Sequence, residues 1–230
     1  MSEVLSSALY FGLVISVVTY LFGIWVKNKT KLALFNPLLV SVVLIILFLV
    51  VFKIDYAEYN KGASYISYFL TPATVCLAIP LYKQLKLLKK HIAAVIGGIA
   101  SGVAASAVSI FALSMLFKLE HVHYVTLLPK SITTAIGMGV SEEAGGIVTL
   151  TVVSIIITGL LGNIIAETVF KIAKITHPIA KGLALGTSAH AIGTAKALEL
   201  GEIEGAMSSL AIAVAGLMTV LVVPVVSGLI

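Results

Sequence analysis

The chain has 230 residues, 60% of them hydrophobic and only 11% charged, with a mean hydropathy of +1.14. A water-soluble domain of this length needs far more polar surface, so the composition excludes one and leaves most apolar side chains facing lipid or other helices. The net charge of +5 comes from fifteen lysines and no arginine against ten acids; these lysines stand in short connections between apolar runs, which points to membrane orientation rather than to a nucleic-acid partner.

Apolar windows of roughly 18–20 residues recur along the chain, the length a helix needs to cross about 30 Å of hydrocarbon. They are continuous, unlike the alternating segments of a transmembrane barrel. The expected fold is therefore all-α, a polytopic integral membrane bundle. The first run, Val4–Val26, lacks a basic n-region and reads as a first span rather than a cleaved signal peptide. Lys27, Lys29 and Lys31 follow it. The second span is Leu32–Phe52, with Pro37 near its start, where a missing N–H costs little. Lys53–Gly62 reads as a mixed-charge connection carrying the interfacial aromatics Tyr56 and Tyr59. The third span, Ala63–Tyr82, is interrupted by Thr71–Pro72 and by Pro80. It contains the single cysteine, Cys76, which has no internal disulfide partner and reads as a packing residue. After the basic cluster Lys83, Lys86, Lys89, Lys90 and His91 comes a fourth span, Ile92–Phe117. Its Gly98-x-x-x-Gly102 allows close helix contact, within the bundle or in a dimer.

Beyond a connection at Lys118–Tyr124 the character changes. Leu127–Gly146 is short and interrupted by proline, glycine, hydroxyl and charged residues. A clean span, Ile147–Thr168, separates it from Lys171, Lys174, His177 and Lys181, and a second polar-interrupted segment, Gly182–Gly201, precedes the last span from Ile203 to about Gly228. If both polar segments are re-entrant, the connections after spans one and three and after Thr168 share one side. Ten of the fifteen lysines then collect there, which the positive-inside rule assigns to the cytoplasm. The resulting expectation is six full crossings plus two re-entrant segments, near 127–146 and 182–201, with both termini away from the cytoplasm.

An offset of 56 residues lays Ala135-Ile136-Gly137 on Ala191-Ile192-Gly193 and pairs Glu143 with Glu199, Gly145 with Gly201 and Ile147 with Ile203. Each copy is a broken polar segment followed by one span. A single crossing between the copies makes them enter from opposite faces, as in inverted-topology repeats whose discontinuous helices build a substrate site near the midplane. Non-helical backbone at that depth must be buried in protein or line a wet cavity. Converging helix N-termini would offer N–H groups to an anion. Ser131, Thr133, Thr134, Thr187, Ser188 and Thr194 would add hydroxyls, and Lys130 or Lys196 a positive charge.

These are also the residues that carry a family resemblance. Leu128-Pro129-Lys130-Ser131-Ile132-Thr133-Thr134, Gly145-Gly146-Ile147 and the run Gly182 to Ala195 around His190 closely resemble the LrgB/CidB family. Asn36-Pro37-Leu38-Leu39-Val40 and Thr71-Pro72-Ala73-Thr74-Val75 match it too; Ala135 and Val148 stand where relatives often have proline. The resemblance covers essentially the whole chain. It implies a bacterial inner-membrane protein paired with a small LrgA/CidA-type membrane protein. It further implies either an antiholin- or holin-like role in murein hydrolase activity and cell lysis, or uptake of small carboxylates such as pyruvate. The plant plastidic glycolate/glycerate transporter resembles a fusion of the two partners.

Ionisable residues inside a membrane are site candidates by default. Lys130 and Lys196 would contact a substrate carboxylate, or else neutralise Glu142, Glu143 or Glu199. His190 would bond an anion, carry a coupling proton, or make a structural hydrogen bond. The repeat-related acids Glu143 and Glu199 are candidates for H⁺ or cation coupling, or caps that pin a loop. Glu167 is placed to pair with Lys171 at i,i+4, and Asn163 to bond between helices. Neither metal-ligand spacing nor a nucleophile motif is present, and no cofactor or enzyme activity is expected. The favoured function is a carrier for small monocarboxylates, with residues 1–91 as scaffold and candidate dimer or partner surface and 92–230 as a transport-like core. The alternative is a regulator of a holin-like partner acting through a lipid-facing Gly98/Gly102 stripe.

Overall fold

The computed structural model describes residues 10–30, 35–69, 72, 75, 76 and 78–230. Helices make up its regular structure: α1 Phe11–Thr30, α2 Pro37–Phe52, α3 Tyr56–Ser67, α4 Ala78–Lys83, α5 Leu85–Lys90, α6 Ile92–Phe117, α7 His121–Leu127, α8 Thr134–Glu143, α9 Val148–Ile172, α10 Pro178–Leu200 and α11 Glu202–Val226, with a final 3₁₀ turn at Ser227–Leu229. Four helical stretches, Phe11–Thr30, Ile92–Phe117, Val148–Ile172 and Glu202–Leu229, are long and apolar enough to cross a membrane, and Pro37–Phe52 is a shorter apolar helix. The all-helical membrane class is thus observed. The beginning of the first span and the Thr71 interruption lie outside the described residues.

Three helix starts differ from expectation. The third span does not begin at Ala63, because Asp55 caps the Ala57 N–H at 2.7 Å and starts α3 inside the supposed connection. The Lys118–Tyr124 connection likewise gives way to α7, whose Tyr124, Val125 and Thr126 are buried; the flanking Lys118, Glu120 and Lys130 make so short a helix look like a loop. The second helix also begins later than Leu32, at Pro37, where Asn36 accepts from the Leu38 N–H at 2.9 Å and proline fills the first turn.

The chain divides into two compact units, residues 1–76 and 77–230. In the first, α1 packs on α2 and α3 through hydroxyl pairs, Ser16 to Tyr59 at 2.8 Å and Thr19 to Ser41 at 2.9 Å. Such pairs join helices where lipid removes most of the hydrophobic drive.

In the second unit α6 and α11 run parallel. A core of Val95, Ile99, Val103, Leu183, Met207 and Ala211 joins them to the first half of α10. At the other end, Ile110 of α6 and Val223 of α11 close around α7 and the buried Leu128 and Ile132. The α9 helix runs the opposite way, meeting α10 through Ala166, Phe170, Leu185 and Ala197.

Candidate functional site

Two helical hairpins dominate the second unit. The α10 helix is discontinuous: His190 has φ 41° and ψ −134°, a backbone conformation that side-chain-bearing residues rarely adopt. The chain folds back there, so that a Cβ on Gly193 would collide with the Leu185 carbonyl oxygen eight residues earlier. The first half of α10 therefore follows α11 in parallel, with Gly186 against the Ser208 carbonyl, and the second half returns, with Thr194 Oγ1 2.7 Å from Ser208 Oγ. The other hairpin is α7, a turn at residues 128–133, and α8. There Gly137 faces the Pro129 carbonyl, again eight residues earlier, at 3.5 Å from an added Cβ. Gly137 and Gly193 are 56 residues apart, and in each segment the glycine faces the carbonyl of the residue eight positions earlier.

The hairpins approach from opposite ends of α6. From its N-terminal end, Leu183 and then Thr187 pack against Gly98 and Gly102. From its C-terminal end, the Tyr124 hydroxyl donates to the Val226 carbonyl at 2.9 Å, and the tip residue Ser131 reaches Ser106 at 3.2 Å. Both tips meet beside the middle of α6.

Between them lies a cavity of about 1080 Å³. Its far end carries Lys130, Ser131, Ser106 and Ser109, its middle Gly102, Thr187 and Ser188, and its near end His91 and His177. Those two histidines precede α6 and α10, on the side that also holds Lys83, Lys90, Lys174 and Lys181. Lys130 Nζ donates to Ser131 Oγ at 3.0 Å, and among the described residues no carboxylate pairs with it.

Of the residues singled out from sequence, Lys130, Ser131, Thr187 and Ser188 are brought together on this cavity. The others are not. Thr133 precedes α8 at its N-terminus and Thr134 begins that helix. His190 is buried against α9, where its Nε2 lies 2.9 Å from the Ile155 carbonyl oxygen. Thr194 is fully buried and hydrogen-bonded to Ser208. Lys196 is held by Glu167 of α9 at 2.6 Å and by Glu199 at 3.3 Å. Glu167 thus reaches across to α10 and not only along its own helix. Glu143 is exposed at the end of α8. The Asn163 amide bonds the Ile192 carbonyl at 3.0 Å, an interhelical role as expected. Gly98 and Gly102 pack against Leu183 and Thr187 of α10 and line the cavity, so the close helix contact expected of them is made within the bundle. Ser106 is not a candidate from sequence, since a serine in an apolar span carries no pattern of its own, and His91 and His177 stand there only as members of basic connections. Among the described residues no cluster of His, Cys, Asp and Glu is arranged to hold a metal.

The LrgB-like family model matches residues 16–229. The chain belongs to the LrgB-like family. Two relatives, each named antiholin-like protein LrgB, come from Bacillus cereus and Bacillus anthracis; each is 41% identical over 216 residues, covering 94% of this chain and 94% of the relative. No solved structure matches the chain. Membership fits the opposed hairpins to the motifs that carry the likeness, because Leu128–Thr134 forms one tip and Gly182–Ala195 surrounds the other.

Proposed function

We propose that this LrgB-like protein is a carrier for small carboxylate anions of the pyruvate or glycolate kind, binding them in the cavity between the hairpin tips. The observation that carries the reading is the meeting of two opposed hairpins at Lys130, which pairs with no carboxylate among the described residues, in a volume of about 1080 Å³. Each hairpin is a re-entrant segment and the pair an inverted repeat, supported by the equivalent Gly137 and Gly193 contacts. Six full crossings, with the lysine-rich side facing the cytoplasm of a bacterial inner membrane, complete the arrangement. Opposed tips of this sort expose the ligand to one face at a time when a hairpin shifts. The carrier works with a small LrgA/CidA-type membrane protein and as a homodimer. Coupling by Glu143 or Glu199 belongs to the same proposal, with both acids near the ends of their hairpins. Substrate contact by Lys196, Thr133, Thr134, His190 or Thr194 would need the hairpins to rearrange.

Uptake of labelled pyruvate, glycolate and lactate into proteoliposomes, with and without the small partner, tests this reading. Saturable flux is expected; flux no greater than in empty vesicles in either arrangement would overturn it. A second reading is favoured by the name of the relatives: an antiholin-like regulator of murein hydrolase activity and lysis with no transport of its own. A lysis assay with Lys130→Ala separates the two. Unchanged control of lysis by a variant with no flux supports the regulator.

A further inference from the structure

Within the first unit, α1 and α2 run antiparallel and meet closely at Gly23 and Thr19. A Cβ on Gly23 would lie 2.7 Å from the Pro37 carbonyl oxygen, and the Thr19 and Ser41 hydroxyls are 2.9 Å apart. Beside this contact runs a groove of about 330 Å³. Phe22 and Val26 of α1 form one wall and Leu39, Val43 and Leu44 of α2 the other, with Phe35 ahead of α2. Every residue on the groove is a large or branched hydrophobe.

That lining suits a lipid chain better than a further helix. Membrane helices approach one another through glycine, alanine, serine and threonine, and the groove carries none of these. A dry apolar cavity of roughly 150 Å³ takes up benzene; the groove has about twice that room, enough for a stretch of acyl chain. The lysine end of α1 supplies the partner for a headgroup. Val26 and Lys29 follow Phe22 at four and seven residues, so the three share one helix face, while Lys27 lies on another. Lys29 Nζ stands 5.0 Å from the centre of the Trp25 ring, which stacks on Phe22 with centroids 5.7 Å apart. Trp25 is exposed, as an indole is at a membrane–water boundary. Among the described residues no carboxylate pairs with Lys29, and the sequence has no acid between Glu3 and Asp55. An ammonium over a ring still has N–H groups to donate.

We propose that this groove is a binding site for one anionic phospholipid, with an acyl chain between α1 and α2 and the headgroup phosphate accepting from Lys29. The Phe22–Trp25–Lys29 stack marks the level at which chain gives way to headgroup. A zwitterionic lipid offsets its phosphate with its own ammonium and gains less from the lysine. One lysine beside an anionic lipid is worth roughly fivefold in affinity. The site goes beyond the carrier reading and stands or falls without it.

The chain has one tryptophan, Trp25, so its fluorescence reports on this groove without a label. Full-length protein is reconstituted in phosphatidylcholine vesicles with rising fractions of phosphatidylglycerol or phosphatidylcholine brominated on the acyl chains. Brominated phosphatidylglycerol is expected to quench Trp25 with roughly fivefold higher relative affinity than brominated phosphatidylcholine. Lys29→Gln brings that ratio to unity, and Lys29→Arg keeps it, which separates lost charge from lost folding. Lys27→Gln removes the same charge from another face and leaves the ratio at the parent value. Val43→Phe fills the groove from its half-exposed rim and removes the preference. A parent ratio of unity, an unaltered ratio in Lys29→Gln or Val43→Phe, or an equal loss in Lys27→Gln and Lys29→Gln would each overturn the proposal. Quenching by neither lipid would overturn it too, since protein would then cover the groove.

Discussion

His190 places its Nε2 2.9 Å from the carbonyl oxygen of Ile155, which joins the fold-back of α10 to the middle of α9. The carbonyl accepts, so Nε2 carries the proton and the tautomer is set by the fold. The same residue holds a backbone with φ 41° that costs on the order of 1–3 kcal/mol outside glycine. Side-chain bond and backbone strain therefore oppose each other at one position. Replacing His190 by alanine removes the bond and keeps the strain, lowering stability by about 2 kcal/mol. His190→Gly loses the same bond but relaxes the backbone, and recovers about 1 kcal/mol of that loss. Thermal denaturation in nanodiscs should rank parent above glycine above alanine. An alanine variant as stable as the parent would show that the hydrogen bond holds nothing.

Gly159 explains how the imidazole reaches that carbonyl. A Cβ there would sit 2.8 Å from the ring atoms Cε1 and Nε2, so an alanine must push the ring away. Gly159→Ala is expected to destabilise the protein by about 1–3 kcal/mol, as overpacking in a tight contact does. Gly97 is the control, because nothing lies within 4 Å of an added Cβ on it. Gly97→Ala should be neutral or slightly stabilising, since alanine suits a helix better than glycine. Equal melting points for the two variants would remove Gly159 from the account.

The class, the fourth span and the two polar segments were legible because hydropathy has a length scale set by the bilayer. Ile92–Phe117 matches its expected bounds for that reason. The fold-back at His190 was visible only as polarity, as no sequence rule assigns a positive φ to a histidine between two alanines. Three helix starts were harder to read, two of them set by side-chain caps. Asp55 and Asn36 start helices within stretches that composition makes loop-like or merely apolar, and the short α7 hides between flanking charges at Lys118, Glu120 and Lys130. The candidate site was half legible. Lys130 and Lys196 look alike in sequence, but their tertiary neighbours differ. Ser106 depends on a contact with a residue 25 positions away.

The α7–α8 hairpin is tied to α9 by a polar seam. Fully buried Thr151 has its hydroxyl 2.6 Å from Ser141 Oγ and 2.9 Å from the Thr126 carbonyl, while Thr126 Oγ1 accepts from the Ile147 N–H at 2.8 Å. Valine at 151 keeps the shape and leaves those partners unpaired, which should lower stability by about 1–3 kcal/mol. Thr149, two residues away and exposed, serves as the comparison. A Thr151→Val variant that melts with Thr149→Val would mean the seam is dispensable.

The two lysines give the sharpest contrast. Lys130 stands on the cavity with a hydroxyl as its partner, so its charge is available to a ligand. Lys196 is already matched by Glu167 and Glu199, and its side chain retains 14% exposure against 49% and 51% for the two acids. Such a half-exposed pair is worth on the order of 1 kcal/mol or less and is screened by salt. Lys130→Gln should therefore abolish uptake, at least a hundredfold by the roughly 3 kcal/mol scale of a buried charge-assisted contact, with little change in melting. Lys196→Gln should retain measurable uptake and lose stability, and the loss should shrink as salt is raised. Initial uptake rates and melting points, measured on both variants at low and high salt, decide the matter. If Lys196→Gln alone silences uptake while Lys130→Gln transports normally, the ligand site lies at the α9–α10 ion pair and not between the hairpin tips.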